Sequence, residues 1–304
     1  MGNKVNVQEI TNELYTIRDM VRCAASLFAA NPLFYGHGTD NPWDEATSLV
    51  MQTLQLDYTY YHEVLDARLT HTERLNIANL IQKRVEQRIP VPYLTHQAQF
   101  AGLTFYVDER VLIPRSPLAE LIEEQFSPWI DPTTIENVLD LCTGSGCIAL
   151  AIHAYLPNPY TQIDAVDISP EALAVAKINV EKQGATEQVH LIQSNLFEQL
   201  QGRRYDLIVS NPPYVDAAEM QALPQEFRHE PELALAAGLD GLAIVHEILQ
   251  KAPDHLTENG LLIVEVGASA PALIQAYPHL PFIWLEFERG GEGVFVLRYE
   301  DFVN

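Results

Sequence analysis

The chain is short of basic residues and of cysteine. Eighteen Lys and Arg stand against 41 Asp and Glu, a formal net charge of −23 over 304 residues. A phosphate backbone repels such a chain unless its cations gather on one face, and no Lys/Arg run exceeds Arg203-Arg204. A nucleic-acid substrate is therefore disfavoured and a basic protein partner favoured, with plain solubility as the competing reason for the acidity. The three cysteines, Cys23, Cys142 and Cys147, are odd in number and lack metal-ligand spacing. They read as reduced thiols of a cytoplasmic protein, and no metal site is expected. No stretch approaches the roughly 18 apolar residues of a membrane span. The opening MGNKVNVQEITNELY has no apolar core behind a basic start, which argues against a secretory signal. With 47% hydrophobic residues the chain is globular, and its length suits two modest domains.

What is present falls into three parts: residues 1–95, 96–114 and 115–304. The first reads as a small all-helical domain, because Leu14, Ile17, Val21, Ala24 and Phe28 recur at three- and four-residue steps. Ser48–Leu56 and Glu73–Arg88 carry similar stripes. FYGHGTDNPWDEA, from Phe34 to Ala46, is expected to be a loop. Its His37, Asp40 and Asp44 fit no familiar ligand spacing and read as turn and cap chemistry. At Leu103, Phe105 and Val107 the period becomes two, Asp108-Glu109-Arg110 turns, and Val111–Ile113 follows, which predicts a β-hairpin linker. Beyond it strands and helices alternate. Strands are expected at 138–141, 163–166, 189–193, 207–209 and 261–266, with two more at 282–287 and 294–299 around Gly290-Gly291-Glu292-Gly293. This predicts an α/β fold: a doubly wound, mostly parallel seven-stranded sheet with an antiparallel C-terminal edge hairpin. Ligands of such sheets sit at the carboxyl ends of the strands.

Two constellations lie at those ends. Asp140-Leu-Cys142-Thr143-Gly144-Ser145-Gly146 follows the first strand, where glycines admit a ligand close to the backbone and the next helix offers free N–H groups. Asp167 ends the second strand, placed to accept two hydrogen bonds from ribose hydroxyls. The pair signals a nucleoside-bearing cofactor, the competing reading of Asp167 being a helix cap. Asn211-Pro212-Pro213-Tyr214 follows the fourth strand. Its prolines stiffen the backbone and remove two donors. The Asn211 side-chain oxygen and the Pro212 carbonyl can then face one point, which suits a planar –NH₂ group, with Tyr214 as a flat face behind it. His229, His246 and Glu265 could be considered as bases; the histidines read as surface or packing residues and Glu265 as an orienting group.

DLCTGSGCIAL, the acid at 167, SNL at 194–196 and SNPPY at 210–214 resemble the class I S-adenosylmethionine-dependent methyltransferases that modify planar amino groups. NPPY occurs in DNA adenine-N6 and in protein-glutamine-N5 branches. The helical start, the hairpin, Val111-Leu-Ile-Pro-Arg115 and Glu230-Pro231-x-x-Ala234-Leu235-x-x-Gly238-x-Asp240-Gly241 are similar to the glutamine branch, over nearly the whole chain. Within it, FYGHGTDNPWDEA and RIPVPYLTHQAQFAGLTFYVDERVLIPRSPLAELI resemble the group acting on ribosomal large-subunit protein three. The release-factor pattern Pro-Arg-Pro-x-Thr-Glu is here Pro114-Arg115-Ser116-Pro117-Leu118-Ala119, without its Thr and Glu.

The resemblance implies S-adenosyl-L-methionine as cofactor and S-adenosyl-L-homocysteine as product. It implies that Asp140, Gly144 and Gly146 line the methionine part, that Asp167 takes the ribose, that Asn195 and Leu196 flank the adenine, and that Cys142, Thr143, Ser145 and Asn211 also bind the cofactor. Asn211, Pro212, Pro213 and Tyr214 are implied to be catalytic. The implied partner is a basic ribosomal protein met before its incorporation into the ribosome, with no nucleic-acid substrate and no membrane. Cys142 takes the place of the usual first glycine, which requires an unstrained backbone there. Competing functions are release-factor methylation, DNA adenine methylation by base flipping and a non-catalytic acidic assembly chaperone.

Overall fold

The structure, a computed structural model, describes residues 4–303. It divides into two compact units. One holds the residues up to Ala98 together with Val107–Glu109 and Pro224–His229; the other holds Gln99–Tyr106, Arg110–Leu223 and the residues from Glu230 on.

The first unit is helical for local reasons. Thr16 and Thr70 each close a reciprocal capping box, with Asp19 and Glu73, and start the helices Ile17–Ala29 and His71–Gln82. Ile17, Met20, Val21, Ala24 and Phe28 bury the expected stripe against Leu49, Met51, Ile77 and Ile81. Leu14 lies outside that helix, at the C-cap of Val7–Glu13. The expected loop from Phe34 ends early. Asn41 accepts from the backbone N–H of Trp43 and Asp44, and a helix runs from Pro42 to Thr53 with proline in its first turn. Asn41 also donates to Asp40 and Asp44, both at 2.7 Å, so these acids do cap chemistry. His37 is buried, its ring 4.5 Å from that of Phe227.

Beneath that loop lies a charged centre. Arg84 is wholly buried, with Nε 3.1 Å from Glu45, Nη1 3.1 Å from Glu226 and Nη2 2.8 Å from the carbonyl of Phe34. Glu226 also accepts from the Phe34 N–H. Glu45, 3% exposed, is therefore an internal counter-ion.

In the second unit, β1 (Ala98–Phe100) and β2 (Leu103–Phe105) form a small hairpin of their own. The expected hairpin is corrected here: the turn is Ala101-Gly102, both at positive φ, and Val111–Ile113 is no strand. The Ile113 N–H donates to the Glu230 carboxylate and to no ladder.

The main sheet comprises β3 (Asn137–Leu141), β4 (Gln162–Asp167), β5 (Val189–Gln193), β6 (Tyr205–Ser210), β7 (Leu256–Glu265), β8 (Ile283–Trp284) and β9 (Val294–Arg298). Its order is β5-β4-β3-β6-β7-β9-β8. The first five run parallel and β9 is antiparallel to both β7 and β8. β7 begins at Leu256 and β8 spans two residues, against the expected 261 and 282–287. Val138, Leu139 and Leu141 of β3, Ile208 and Val209 of β6 and Leu262 to Val264 of β7 are wholly buried, as a sheet covered on both faces requires. Successive strands step outward from β3 to β4 and β5, and the chain then returns to β6 on the other side of β3. That reversal makes β3/β6 the switch point of the sheet.

Candidate active site

Register builds the site. Leu141 of β3 pairs with Val166 of β4 and with Ser210 of β6. The next residue in each strand direction is Cys142, Asp167 and Asn211, so three separate motifs emerge side by side at the carboxyl ends. A cavity opens there, walled by Cys142, Gly144, Asp167, Asn195, Leu196, Asn211 and Pro213 among the expected residues.

The loop after β3 is held from below. Asp140, wholly buried, accepts from the Thr143 hydroxyl at 2.5 Å and from the Ala149 N–H at 3.1 Å. Burial pushes its carboxyl up to about 7, against the pull of those two donors. Asp140, Thr143, Ser145 and Gly146 thus build the loop and are not on the cavity wall. Gly144 is, and a Cβ added to it would meet nothing within 4 Å. Its N–H donates to Asp167 Oδ2 at 2.9 Å, while Asp167 Oδ1 takes the Ser169 N–H at 2.9 Å. Each oxygen keeps a second lone pair for a ligand. Burial raises the Asp167 carboxyl above its ordinary range, with those backbone donors opposing.

The expectation of an unstrained Cys142 is overturned. Its φ is +60°, and Leu196 stands at +47°. Left-handed backbone costs a side chain on the order of 1 kcal/mol and persists where surrounding structure dictates it. Here the Thr143 N–H is fixed to the Val166 carbonyl and Cys142 packs against the apolar layer around Leu139 and Val166. The residue-for-residue match to a glycine pattern is weaker for it; register places Cys142 on the wall. Its thiol is pushed up by burial and by Asp167.

On the β6 side, the Asn211 side chain has no hydrogen-bond partner among the described residues and is half-buried on the cavity wall. Pro212 is buried, and neither it nor Tyr214 is on the wall. The Tyr214 hydroxyl donates to Glu265 Oε1 at 2.9 Å, and its carbonyl accepts from Ser269 Oγ at 3.0 Å. Glycine is required at 267, because a Cβ there would stand 2.7 Å from the Tyr214 ring. Glu265, expected to be an orienting group, thus hydrogen-bonds to Tyr214. His229 pairs with the Gln87 carbonyl and His246 with the Tyr277 hydroxyl, and neither reaches the cavity wall.

The far wall was not legible as such. Arg110, Val111, Leu112, Pro231, Leu233, Ala234 and Ala236 come from two distant segments. A bidentate pair clasps these together: Arg115 Nη1 and Nη2 lie 2.6 and 2.9 Å from the Glu230 oxygens. Both segments stand out in the sequence as motifs, and the shared signal is one Arg and one Glu of opposite charge. Ile168, Ala172 and Ile244 add an apolar slot beside Asp167. Carboxylate, open glycine backbone and apolar slot together fit a nucleoside-bearing group.

Residues 126–272 match the family model described as Methyltransferase small domain. A ribosomal protein uL3 glutamine methyltransferase of Francisella tularensis subsp. tularensis is 46% identical over 305 residues, covering 100% of this chain and 96% of that relative. One of Neisseria meningitidis is 48% identical over 297 residues, covering 97% of each. Among solved structures, a methyltransferase from Pyrococcus furiosus aligns at a TM-score of 0.45 and 16% identity, over 65% of this chain and 89% of that one.

Proposed function

The chain belongs to the ribosomal protein uL3 glutamine methyltransferase family and is a methyltransferase, and on that premise we propose its substrate and cofactor. The acceptor is the side-chain amide N5 of a glutamine in ribosomal large-subunit protein three, and the donor is S-adenosyl-L-methionine. The observation that carries this reading is the unpartnered Asn211 side chain, brought by strand register beside Asp167 and Gly144.

The cavity residues fit the cofactor. Asp167 has lone pairs for the ribose hydroxyls, Leu196, Ile168 and Ile244 offer an apolar slot for adenine, and Gly144 leaves room for the methionine part. Asn195 and Cys142 complete that wall, with Asp140, Thr143, Ser145 and Gly146 shaping the loop. When bound, S-adenosyl-L-methionine supplies an electrophilic methyl group. The protein's task is the nucleophile. An amide nitrogen is poor because its lone pair is delocalised into the carbonyl. Asn211 Oδ1 and the Pro212 carbonyl accept the two amide N–H bonds and stabilise the positive charge that grows on nitrogen during attack. Pro213 stiffens the turn and Tyr214 backs the acceptor. The proton leaves after transfer, when nitrogen is cationic and acidic, so no base is needed beforehand.

Asp167→Ala is expected to weaken cofactor binding roughly 10- to 100-fold, the worth of one charge-assisted hydrogen bond; calorimetry measures it. Protonating Asp167 turns an acceptor into a donor. With its carboxyl raised, affinity should fall with decreasing pH before an ordinary aspartate would titrate, and the Ala variant should lose that dependence.

Residues 1–95 serve in this reading to recognise the substrate, 96–114 to link, and 115–304 to carry the chemistry. Exposed Asp40, Asp44 and Asp57 belong to an acidic docking surface, from which buried Glu45 is removed. The partner is a basic ribosomal protein in the cytoplasm, free of ribosomal RNA. No helix among the described residues is long and apolar enough to cross a membrane. Raising salt from low to physiological strength should increase KM for the ribosomal protein several-fold, on the order of three- to tenfold, with kcat steady. A salt-insensitive KM removes electrostatic docking. The function itself is tested by offering labelled S-adenosyl-L-methionine with ribosomal protein three, a release factor and DNA in parallel and locating any methyl group by mass spectrometry. Label on the release factor or DNA alone, or on none, rejects the proposal.

A further inference from the structure

We infer that Ser116 and Glu265 are positioning residues for the methyl acceptor, acting through Tyr214, and that the Tyr214 hydroxyl is a fastening and takes no proton in the reaction. The inference rests on the reading of Asn211–Tyr214 as the acceptor site.

The argument is a count of donors and acceptors. Glu265, at the end of β7, is 4% exposed. A carboxylate so enclosed must have its oxygens satisfied. Oε1 takes the Tyr214 O–H at 2.9 Å and Oε2 takes the Ser116 O–H at 2.5 Å. Ser116 Oγ in turn accepts from the Leu118 N–H at 3.1 Å, so its own proton is directed to Glu265. A single chain of bonds therefore runs from the first turn of the helix Leu118–Glu123 through Ser116 and Glu265 to the phenol edge of Tyr214. The other sides of Tyr214 are closed as well. Its carbonyl accepts from Ser269, and Gly267 lies so close that a Cβ would overlap the ring. A tyrosine held at its hydroxyl, its ring face and its carbonyl has one pose. Its neighbours in the chain are Pro213 and Pro212, so the same hold sets the direction of the Pro212 carbonyl and of Asn211.

The hydroxyl gives its one proton to Glu265 and so stands as a neutral phenol, which is a weak base. The phenol is also raised far above its ordinary range by burial and by Glu265, which opposes ionisation. Arg115, next to Ser116, clasps Glu230 at the opposite wall. Two adjacent residues thus hold both flanks of the acceptor site, although each reaches its partner more than a hundred positions away.

Four variants test this: Tyr214→Phe, Glu265→Gln, Ser116→Ala and the double Tyr214→Phe/Glu265→Gln. Positioning losses of this kind run to about 10²-fold for displacements near 1 Å. Glu265→Gln is expected to lower kcat roughly 10- to 100-fold and Ser116→Ala about three- to tenfold. KM for ribosomal protein three and the cofactor Kd should stay within about threefold of wild type. Tyr214→Phe should keep measurable turnover, and the double variant should fall no further than Glu265→Gln alone, because the bond that Tyr214→Phe removes belongs to the chain that Glu265→Gln already disrupts. Multiplying losses in the double variant, or unchanged kcat in both Glu265→Gln and Ser116→Ala, overturns the inference. So does a Tyr214→Phe enzyme that binds cofactor and is inert, since that makes the hydroxyl chemical. Should Glu265→Gln fail to fold, Ser116→Ala with the Tyr214→Phe/Ser116→Ala pair decides by the same rule. A wild-type enzyme that leaves ribosomal protein three unmethylated defeats the functional reading instead.

Discussion

Asn211→Ala is expected to lose at least about 10³-fold in kcat on ribosomal protein three while binding S-adenosyl-L-methionine within about threefold of wild type. The size follows from what the side chain does. Its oxygen is one of two acceptors for charge that exists in the transition state and scarcely in the ground state, and interactions of that kind appear in kcat. Losing one preorganised polar partner in an enclosed site typically costs about 10²- to 10³-fold. Here the loss also frees the amide to rotate about the remaining bond to Pro212, which places the value at the upper end. Cofactor binding is spared because Asn211 contributes one point on a wall that Gly144, Asp167, Leu196 and Ile168 otherwise form. The fold is spared because no described residue hydrogen-bonds to that side chain. Single-turnover assays with calorimetry separate the two quantities. A variant retaining a tenth of wild-type kcat rejects the mechanism.

The second large effect is on stability. Arg84→Ala should lower the unfolding free energy by about 3–5 kcal/mol, as removal of one partner of a buried ion pair does. Its guanidinium answers Glu45, Glu226 and the Phe34 carbonyl, all in the first unit. Without it Glu45 and Glu226, 3% and 0% exposed, keep only the more peripheral Arg88, 3.4 Å from Glu226 Oε1, and Glu226 Oε2 already lacks a partner. Glu45→Gln or Glu226→Gln added to Arg84→Ala should recover part of the loss, since neutral amides remove the repulsion. Urea titration followed by far-UV circular dichroism measures both. A fall below about 1 kcal/mol would mean that water enters the centre and solvates the acids. The two variants leave opposite signatures: Asn211→Ala a folded, inactive protein, and Arg84→Ala a labile one whose folded fraction still transfers methyl.

The elements read correctly from sequence are those whose cause is local. The helix Pro170–Gln183 shows such causes: Ser169 accepts from the Ala172 N–H, Pro170 opens the first turn and Gly184 ends the helix in the left-handed region. The strand–turn–helix around Asp140–Gly146 and the turn after β6 lie where their residues put them, because glycine, proline and caps act within a few bonds. Misreadings occur where an apolar run has another use. Val111–Ile113 has strand composition, yet its backbone is taken by the Glu230 carboxylate and its side chains by the cavity and the core. Glu45 follows Asp44 in a polar loop-like stretch, but lies on the inner face of a helix that Asn41 caps. The match at Cys142 requires an ordinary backbone, and its φ of +60° is nowhere reported by the residues around it.

The sequence by itself determined the class of fold, the order of its strands and helices, and the two motifs that point to cofactor and acceptor. These rest on periodicity, turn chemistry and side-chain type, all carried within about twenty residues. Which buried polar groups meet depends on the packing of the folded chain. Arg84 finds Glu226 across 142 positions, Arg115 finds Glu230 across 115, and Ser116 finds Glu265 across 149. The partner of a buried charge is whatever the returning chain brings within about 3 Å, and that depends on the packing of the whole unit. So Asn211, Asp167 and the orienting Glu265 can be named from the sequence, whereas Ser116 and the Arg115–Glu230 clasp take their places only when strand register and packing set the distances.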